Sequence, residues 1–170
     1  DKNKGIRVTM SEWKRPSPET IPSAAKAAGL YMICTMSKHK AEAEGFADAL
    51  MLDYRGYVAE LTGANVFLTR DGAIHTPTPD CFLNGITRQT VIELARARGF
   101  EVIERHITPE ELSTFSECFI TGSAAEVTPV AEMAGHTYRP GNISGTLADD
   151  YSQLVRGKLT MDQIRASKVA

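Results

Sequence analysis

The chain has 170 residues, 42% of them hydrophobic and 24% charged, with a net charge of −2 at neutral pH. That suffices for one domain with a hydrophobic core and is short for two. Near-balanced charge gives no electrostatic support for a nucleic-acid or membrane-surface role, and no apolar run approaches a bilayer span. The first residues lead into a strand over 5–10 rather than a signal peptide. Residues 12–22 hold Pro16, Pro18 and Pro22 and should be irregular. Residues 23–29 read as a short helical turn ending at Gly29, and a helix follows over 31–43 with Gly45 as its stop. Stretches 47–52, 57–61, 65–69 and 73–75 read as strands joined by Gly-containing turns, which predicts an antiparallel meander.

Asn84-Gly85 is a turn dipeptide, and the stretch after it is a helix. Val91, Leu94, Ala95 and Arg98 share one face, and Gly99 sits at the C-terminal stop. Residues 101–107 alternate like a strand. Thr108-Pro109-Glu110-Glu111 joins a capping box to a proline at the first helical position. Residues 118–121 form a buried strand that enters a tight turn, Gly122-Ser123-Ala124-Ala125. Residues 126–133 are extended and interrupted at Pro129. A closing helix spans 144–156, with a frayed tail after Thr160. There is no internal repeat. Strands and helices intermix without strict alternation, so the predicted class is α+β rather than a doubly wound sheet.

Cys34, Cys81 and Cys118 are far apart, odd in number and set in apolar surroundings, which predicts buried free thiols in a reducing cytoplasm. His39, His75, His106 and His136 show no close pair at ligand spacing, so no metal site is expected. Lys26 sits among Ala24, Ala25, Ala27, Ala28 and Gly29, with no counter-charge and no bulk beside it. Such surroundings partly desolvate an amine and free its lone pair for Schiff-base chemistry. The same pattern also fits a surface lysine on an alanine-rich helix. Ser23-Ala24-Ala25-Lys26 matches the S-x-x-K nucleophile motif of penicillin-interacting enzymes, but no S-D-N-like or K-T-G-like companion occurs.

Glu60 lies mid-strand among apolar neighbours, where a carboxylate is costly unless it faces solvent or meets a positive partner such as a protonated pyridine nitrogen. The helix starting after Gly85 aims free N–H groups and the Thr87 hydroxyl forward, as a phosphate seat or an ordinary cap. The turn around Ser123 is either a second anion nest or a plain strand-to-strand turn. Together these supply an amine nucleophile, a ring-nitrogen partner and two hydroxyl-bearing anion seats, the parts that pyridoxal phosphate requires.

Four segments occur in a telling order: Pro22 to Tyr31 around Lys26, Glu60 to Phe67, Asn84-Gly85-Ile86-Thr87-Arg88, and Thr121 to Val130. In order and spacing they resemble the large C-terminal domain of branched-chain amino-acid aminotransferases, of the class-IV pyridoxal-phosphate group. The resemblance covers nearly the whole chain. It implies an α+β fold with mainly antiparallel strands in a pseudo-barrel and flanking helices, as in the D-amino-acid aminotransferase-like fold. Residues 1–170 would then be a single cofactor-binding domain, with the family's small N-terminal domain, which carries a phosphate-binding Arg, outside them.

The implied reaction moves an amino group from leucine, isoleucine or valine to 2-oxoglutarate. By the resemblance Lys26 holds the cofactor as an internal aldimine and shuttles the proton. Glu60 pairs with the pyridine nitrogen, and Tyr31 bonds the phenolic oxygen. Ile86, Thr87 and Ser123 grip the phosphate, while Ala124 and Ala125 receive the substrate carboxylate. A homodimer is implied as well. Leu30 stands where many members carry Asn, and Ser123 where many carry Thr. A D-amino-acid aminotransferase or an aminodeoxychorismate lyase would use the same Lys and Glu, and a non-catalytic, self-associating domain would keep the fold without turnover.

Overall fold

Central strands buried on both faces and helices buried along one face set the architecture of the computed structural model, which describes residues 4–167. Its strands are β1 (Ile6–Met10), β2 (Asp48–Leu52), β3 (Val58–Leu61), β4 (Asn65–Arg70), β5 (Ala73–Pro77), β6 (Val102–Arg105), β7 (Glu117–Gly122), β8 (Glu126–Met133) and β9 (His136–Thr137). Its helices are α1 (Tyr31–Ala43), α2 (Ile86–Arg98), α3 (Asn142–Val155) and α4 (Met161–Ala166). The strands form one sheet in the order β3-β2-β1-β8-β7-β4-β5-β6, with β9 beside β8.

Antiparallel pairs predominate, as expected, but the simple meander does not hold. β2–β3 and β4–β5 are antiparallel hairpins, whereas β1 runs parallel to β2 and β8, and β5 runs parallel to β6. The reason is connectivity: α1 carries the chain from β1 to β2 and α2 from β5 to β6, and a helical crossover returns the chain to the end where it began. β3 and β4 do not pair side by side. The chain turns a corner between them, closed by the Leu61 N–H donating to the Ala64 carbonyl at 2.8 Å.

β8 is continuous through Pro129, contrary to the expected interruption. Its first half pairs with β7, ending at Phe119 opposite Pro129, and its second half pairs with β1 from Val130 onward. Proline, with no N–H to give, sits where the strand changes partners. The sheet's two edges then meet: the Val58 N–H donates to the Ile107 carbonyl at 2.8 Å, and the Tyr57 and His106 rings stack at 4.9 Å. This curls the sheet into the expected pseudo-barrel.

Both sheet faces are covered. Val66 and Leu68 of β4 and Cys118 and Ile120 of β7 point into one core with Val8, Leu50 and Ile107. The intervening Phe67 and Phe119 stack 5.0 Å apart on the other face, in the core that holds Val91 and Leu94 of α2, Leu147 of α3 and Ile164 of α4. Gly99 caps α2 in the left-handed region at φ 91, as its position predicts. The capping box at Thr108 and Glu111 is present. The tail after Thr160 is not frayed: the Gln163 N–H donates to the Thr160 hydroxyl, and α4 buries Ile164. Among the described residues no helix is long and apolar enough to cross a membrane.

Candidate active site

Both parallel crossovers open onto the same cavity, of about 280 Å³, close to the lower end of small-molecule sites. The β1–α1 connection contributes Arg15, Lys26 and Tyr31 to its wall; the β3–β4 corner contributes Glu60 and Asn65. The start of α2 contributes Gly85, Ile86 and Thr87, and the end of β7 contributes Thr121, Gly122 and Ser123. Six of the eight expected site residues therefore share one wall. Ala124, exposed, and Ala125, half-buried, lie farther along the turn and do not line the cavity.

Of the two sequence readings of Lys26, the surface lysine holds, though not on a helix. It is exposed, not wedged among alanines. Residues 23–25 form a tight turn, the backbone is extended at Ala27, and only Ala28–Leu30 close a 3-10 turn, so no helix packs alanines around the amine. Among the described residues Lys26 has no ion-pair partner. The Ser23 hydroxyl donates to the Asp80 carbonyl at 3.0 Å and does not line the cavity, which leaves the S-x-x-K serine without the environment of a nucleophile.

Glu60 is 9% exposed, which rules out the solvent-facing alternative. Burial pushes its carboxyl up to about 8; Arg15 acts against this shift and Asp48 adds to it. The Arg15 Nε lies 3.4 Å from one carboxylate oxygen, and the Asn65 amide donates to the other at 3.4 Å. Tyr31, the first residue of α1, is half-buried beside this pair, and its phenol is pushed up by burial and then by the charge of Glu60.

The α2 start is built from below. Gly85 is the N-cap residue and supplies no side-chain cap, so the leading N–H groups are free of one. A Cβ on Gly85 would lie 2.5 Å from the Asn65 Oδ1, so a glycine is what allows this close approach. The Asn65 amide also donates to the Leu83 carbonyl at 3.0 Å, tying the turn to β4. Arg88 is 1% exposed and donates to the Asn84 Oδ1 at 2.9 Å, the Pro77 carbonyl at 3.1 Å and Glu104 at 2.8 Å, which fixes the turn against β5 and β6. Thr87 is buried, with its hydroxyl 3.4 Å from the Tyr151 hydroxyl, whereas the Ile86 side chain is 83% exposed, so only its backbone suits an anion.

At the other turn, a Cβ on Gly122 would lie 3.2 Å from the Gly63 carbonyl, so the two corners nearly touch. Ser123 is exposed at the rim. Thr121 is 1% exposed, and among the described residues its hydroxyl has no hydrogen-bond partner.

Arg15, Asn65, Arg88 and Thr121 are not legible in the sequence as site residues. Arg15 sits in a proline-rich stretch without periodicity, and the others read as ordinary strand or helix positions. All three cysteines are buried free thiols. Asp53, Asp80 and Cys81 cluster within 4.8 Å. The cation at that cluster is the Arg55 guanidinium, 2.7 Å from Asp53, 2.9 Å from Asp80 and 3.5 Å from the Cys81 sulfur.

The model of the amino-transferase class IV family matches residues 1–133. The chain is 40% identical over 157 residues to a probable branched-chain-amino-acid aminotransferase of Rickettsia felis, covering 90% of this chain and 54% of that protein. It is 42% identical over 164 residues to a probable branched-chain-amino-acid aminotransferase of Aquifex aeolicus, covering 94% and 53%. The structure of the branched-chain aminotransferase from the thermophilic archaeon Thermoproteus uzoniensis with norvaline matches with a TM-score of 0.88 at 39% identity, over 92% of this chain and 53% of that one. An aminotransferase from Brucella abortus bound to its cofactor PLP matches with a TM-score of 0.83 at 36% identity, over 90% and 55%. The chain spans about half the length of these relatives. With the family model matching most of its length, and its fold shared with solved members, this chain belongs to the class IV aminotransferases.

Proposed function

We propose that residues 1–170 form the cofactor-binding domain of a pyridoxal-phosphate-dependent aminotransferase. Its substrates are leucine, isoleucine and valine, with 2-oxoglutarate as amino acceptor. The reading is carried by one observation: a single cavity draws its wall from Lys26, Tyr31, Glu60, the start of α2 and Ser123. The donor set fits the cofactor. Free N–H groups at a helix start, with the Thr87 and Ser123 hydroxyls, suit a phosphate. The Glu60 carboxylate, held by two long contacts, keeps acceptor capacity for a ring N–H. Thr121 offers a buried hydroxyl without a partner among the described residues.

When bound, pyridoxal phosphate supplies the aldehyde carbon that takes the amino group and a ring that draws electrons from the substrate α-carbon. Lys26 holds its aldehyde end, Tyr31 its phenolic oxygen and Glu60 its ring nitrogen, while Ile86, Thr87 and Ser123 hold its phosphate. With substrate in place, the Lys26 Nζ would accept the proton from the substrate α-carbon and hand it on to the former aldehyde carbon rather than back to its origin. That role needs an amine free to swing, which the exposed Lys26, without an ion-pair partner among the described residues, provides. By the family resemblance, the backbone at Ala124 and Ala125, just beyond the cavity wall, would receive the substrate carboxylate. The names of the relatives favour branched-chain substrates over the D-amino-acid aminotransferase and aminodeoxychorismate lyase alternatives. The protein acts as a homodimer in the cytoplasm, a reducing compartment that suits its buried free thiols.

Absorbance tests the reading. Pyridoxal phosphate added to the chain should give a near-ultraviolet or visible band, and borohydride should fix a pyridoxyl mass on Lys26. L-leucine should shift the band. No band, or label on another lysine, refutes the assignment. A band that leucine never moves would mean a binding domain without turnover.

A further inference from the structure

We infer that Tyr151 is a positioning residue, whose phenol sets the Thr87 hydroxyl to donate into the anion seat at the start of α2. The inference rests on the cofactor reading for what fills that seat. It brings α3, which has no residue on the cavity wall, into the site.

Thr87 lines the cavity and is 6% exposed. Thr90, farther along the same helix, spends its hydroxyl on the Ile86 carbonyl at 3.0 Å. Thr87 makes no such bond. Among the described residues its hydroxyl has one hydrogen-bond neighbour, the Tyr151 hydroxyl at 3.4 Å, and the Tyr151 hydroxyl has no other. Each of the two groups carries a single O–H. A fully ionised phosphate only accepts, so a Thr87 hydroxyl that serves one must turn its proton toward the cavity. Its lone pairs then face away, and the group behind them is the Tyr151 O–H. The anion thereby fixes the polarity of the pair: tyrosine donates to threonine, threonine donates to phosphate, and each bond strengthens the other. A separation of 3.4 Å is long for two hydroxyls, and a Thr87 proton drawn toward an anion would shorten it. Tyr151 acts through Thr87 rather than on the ligand, because it does not itself line the cavity.

The rest of α3 holds the phenol in place. At its start the Ser144 N–H and hydroxyl donate to Glu117 at 3.1 and 2.9 Å, which ties the helix to the first residue of β7. In its second half Asp150, the neighbour of Tyr151, takes two bonds from Arg98 at the far end of α2. Just past its end Arg156 pairs at 2.9 Å with Glu126, the residue that follows the Ser123–Ala125 turn. The helix therefore reaches both anion seats from behind. The Arg156 pair is largely exposed and contributes little alone. The half-buried Tyr151 is the group that meets a residue of the cavity wall.

The test compares binding of pyridoxal phosphate with binding of pyridoxal, which lacks the phosphate, to the full chain by fluorescence titration. Each variant is referred to wild type on the same ligand, so intrinsic differences between the two aldehydes cancel. Y151F should weaken pyridoxal phosphate binding by about two- to tenfold and leave pyridoxal binding unchanged. T87V should weaken pyridoxal phosphate binding at least as much, and Y151F should add nothing in the T87V background. Unchanged pyridoxal phosphate affinity in Y151F overturns the inference. So does an equal loss for both ligands, or a loss that persists undiminished in the T87V background; either result makes Tyr151 a packing residue. A T87V chain that binds both ligands as wild type does removes Thr87 from the phosphate seat, which refutes that part of the proposed function and the inference with it.

Discussion

Replacing Gly85 with alanine probes how the phosphate end of the cavity is assembled. The backbone at Gly85 has φ −59 and ψ 145, which any L-residue adopts, so the substitution carries no dihedral strain. The cost is spatial. A methyl carbon would arrive 2.5 Å from the Asn65 Oδ1, well inside the 3.4 Å where ordinary contact begins. Asn65 is 6% exposed and its amide is tied to both Leu83 and Glu60, so it cannot swing into solvent. Either α2 lifts away from β4 or the Leu83 bond breaks. Overpacking of this kind together with one lost hydrogen bond should cost about 2 kcal/mol. For a chain of this size that is about 4–8 °C in melting temperature. Removing the obstructing atom should restore part of the loss, so G85A should cost less in an N65S background than in the wild type. Urea unfolding of the four proteins measures the coupling. Pyridoxal phosphate affinity should fall with G85A too, because the helix start moves. Strict additivity of the two substitutions would refute the assembly described here.

The Arg98–Asp150 pair docks α3 onto α2 through two bonds of 2.7 and 2.6 Å, with the Asp150 side chain 4% exposed. R98M should therefore cost about 3 kcal/mol by stranding the carboxylate, while R98M/D150L should recover much of it; a double variant no more stable than R98M in urea unfolding contradicts this. Glu111 is held down to about 2, first by the Arg105 side-chain bond, then by the Thr108 N–H, against a burial effect in the opposite direction. A depressed carboxyl contributes stability that is present above its ordinary value of 4.5 and lost as pH falls toward 2. E111Q keeps the cap geometry, so it should lose about 1 kcal/mol at neutral pH and converge on wild type in acid. A constant offset across that window in thermal melts would rule out the charge as the source. T121V should leave the cofactor-free chain as stable or slightly more stable, since the hydroxyl it removes has no partner, yet weaken pyridoxal phosphate binding several-fold in a fluorescence titration. Equal affinity would remove Thr121 from the ligand-contacting wall.

Much of this molecule is written in local sequence. Gly99 stops α2 because a left-handed residue there costs glycine nothing, and Thr108 with Glu111 starts a turn because both groups needed lie within four residues. The ordered segments around Lys26, Glu60, Gly85 and Ser123 likewise announced a common site, since each supplies one chemical group that a cofactor needs. Tertiary structure decided the rest. Which strands run parallel depends on where α1 and α2 return the chain, and Pro129 could be read as a break or as a change of partner. The exposure of Lys26 depends on what packs against a small-residue segment, not on the segment. Arg15 meets Glu60, and Asn65 meets Gly85, only because a curled sheet brings distant stretches within a few ångströms, and contacts of that kind leave no period or cap signature in the residues that make them.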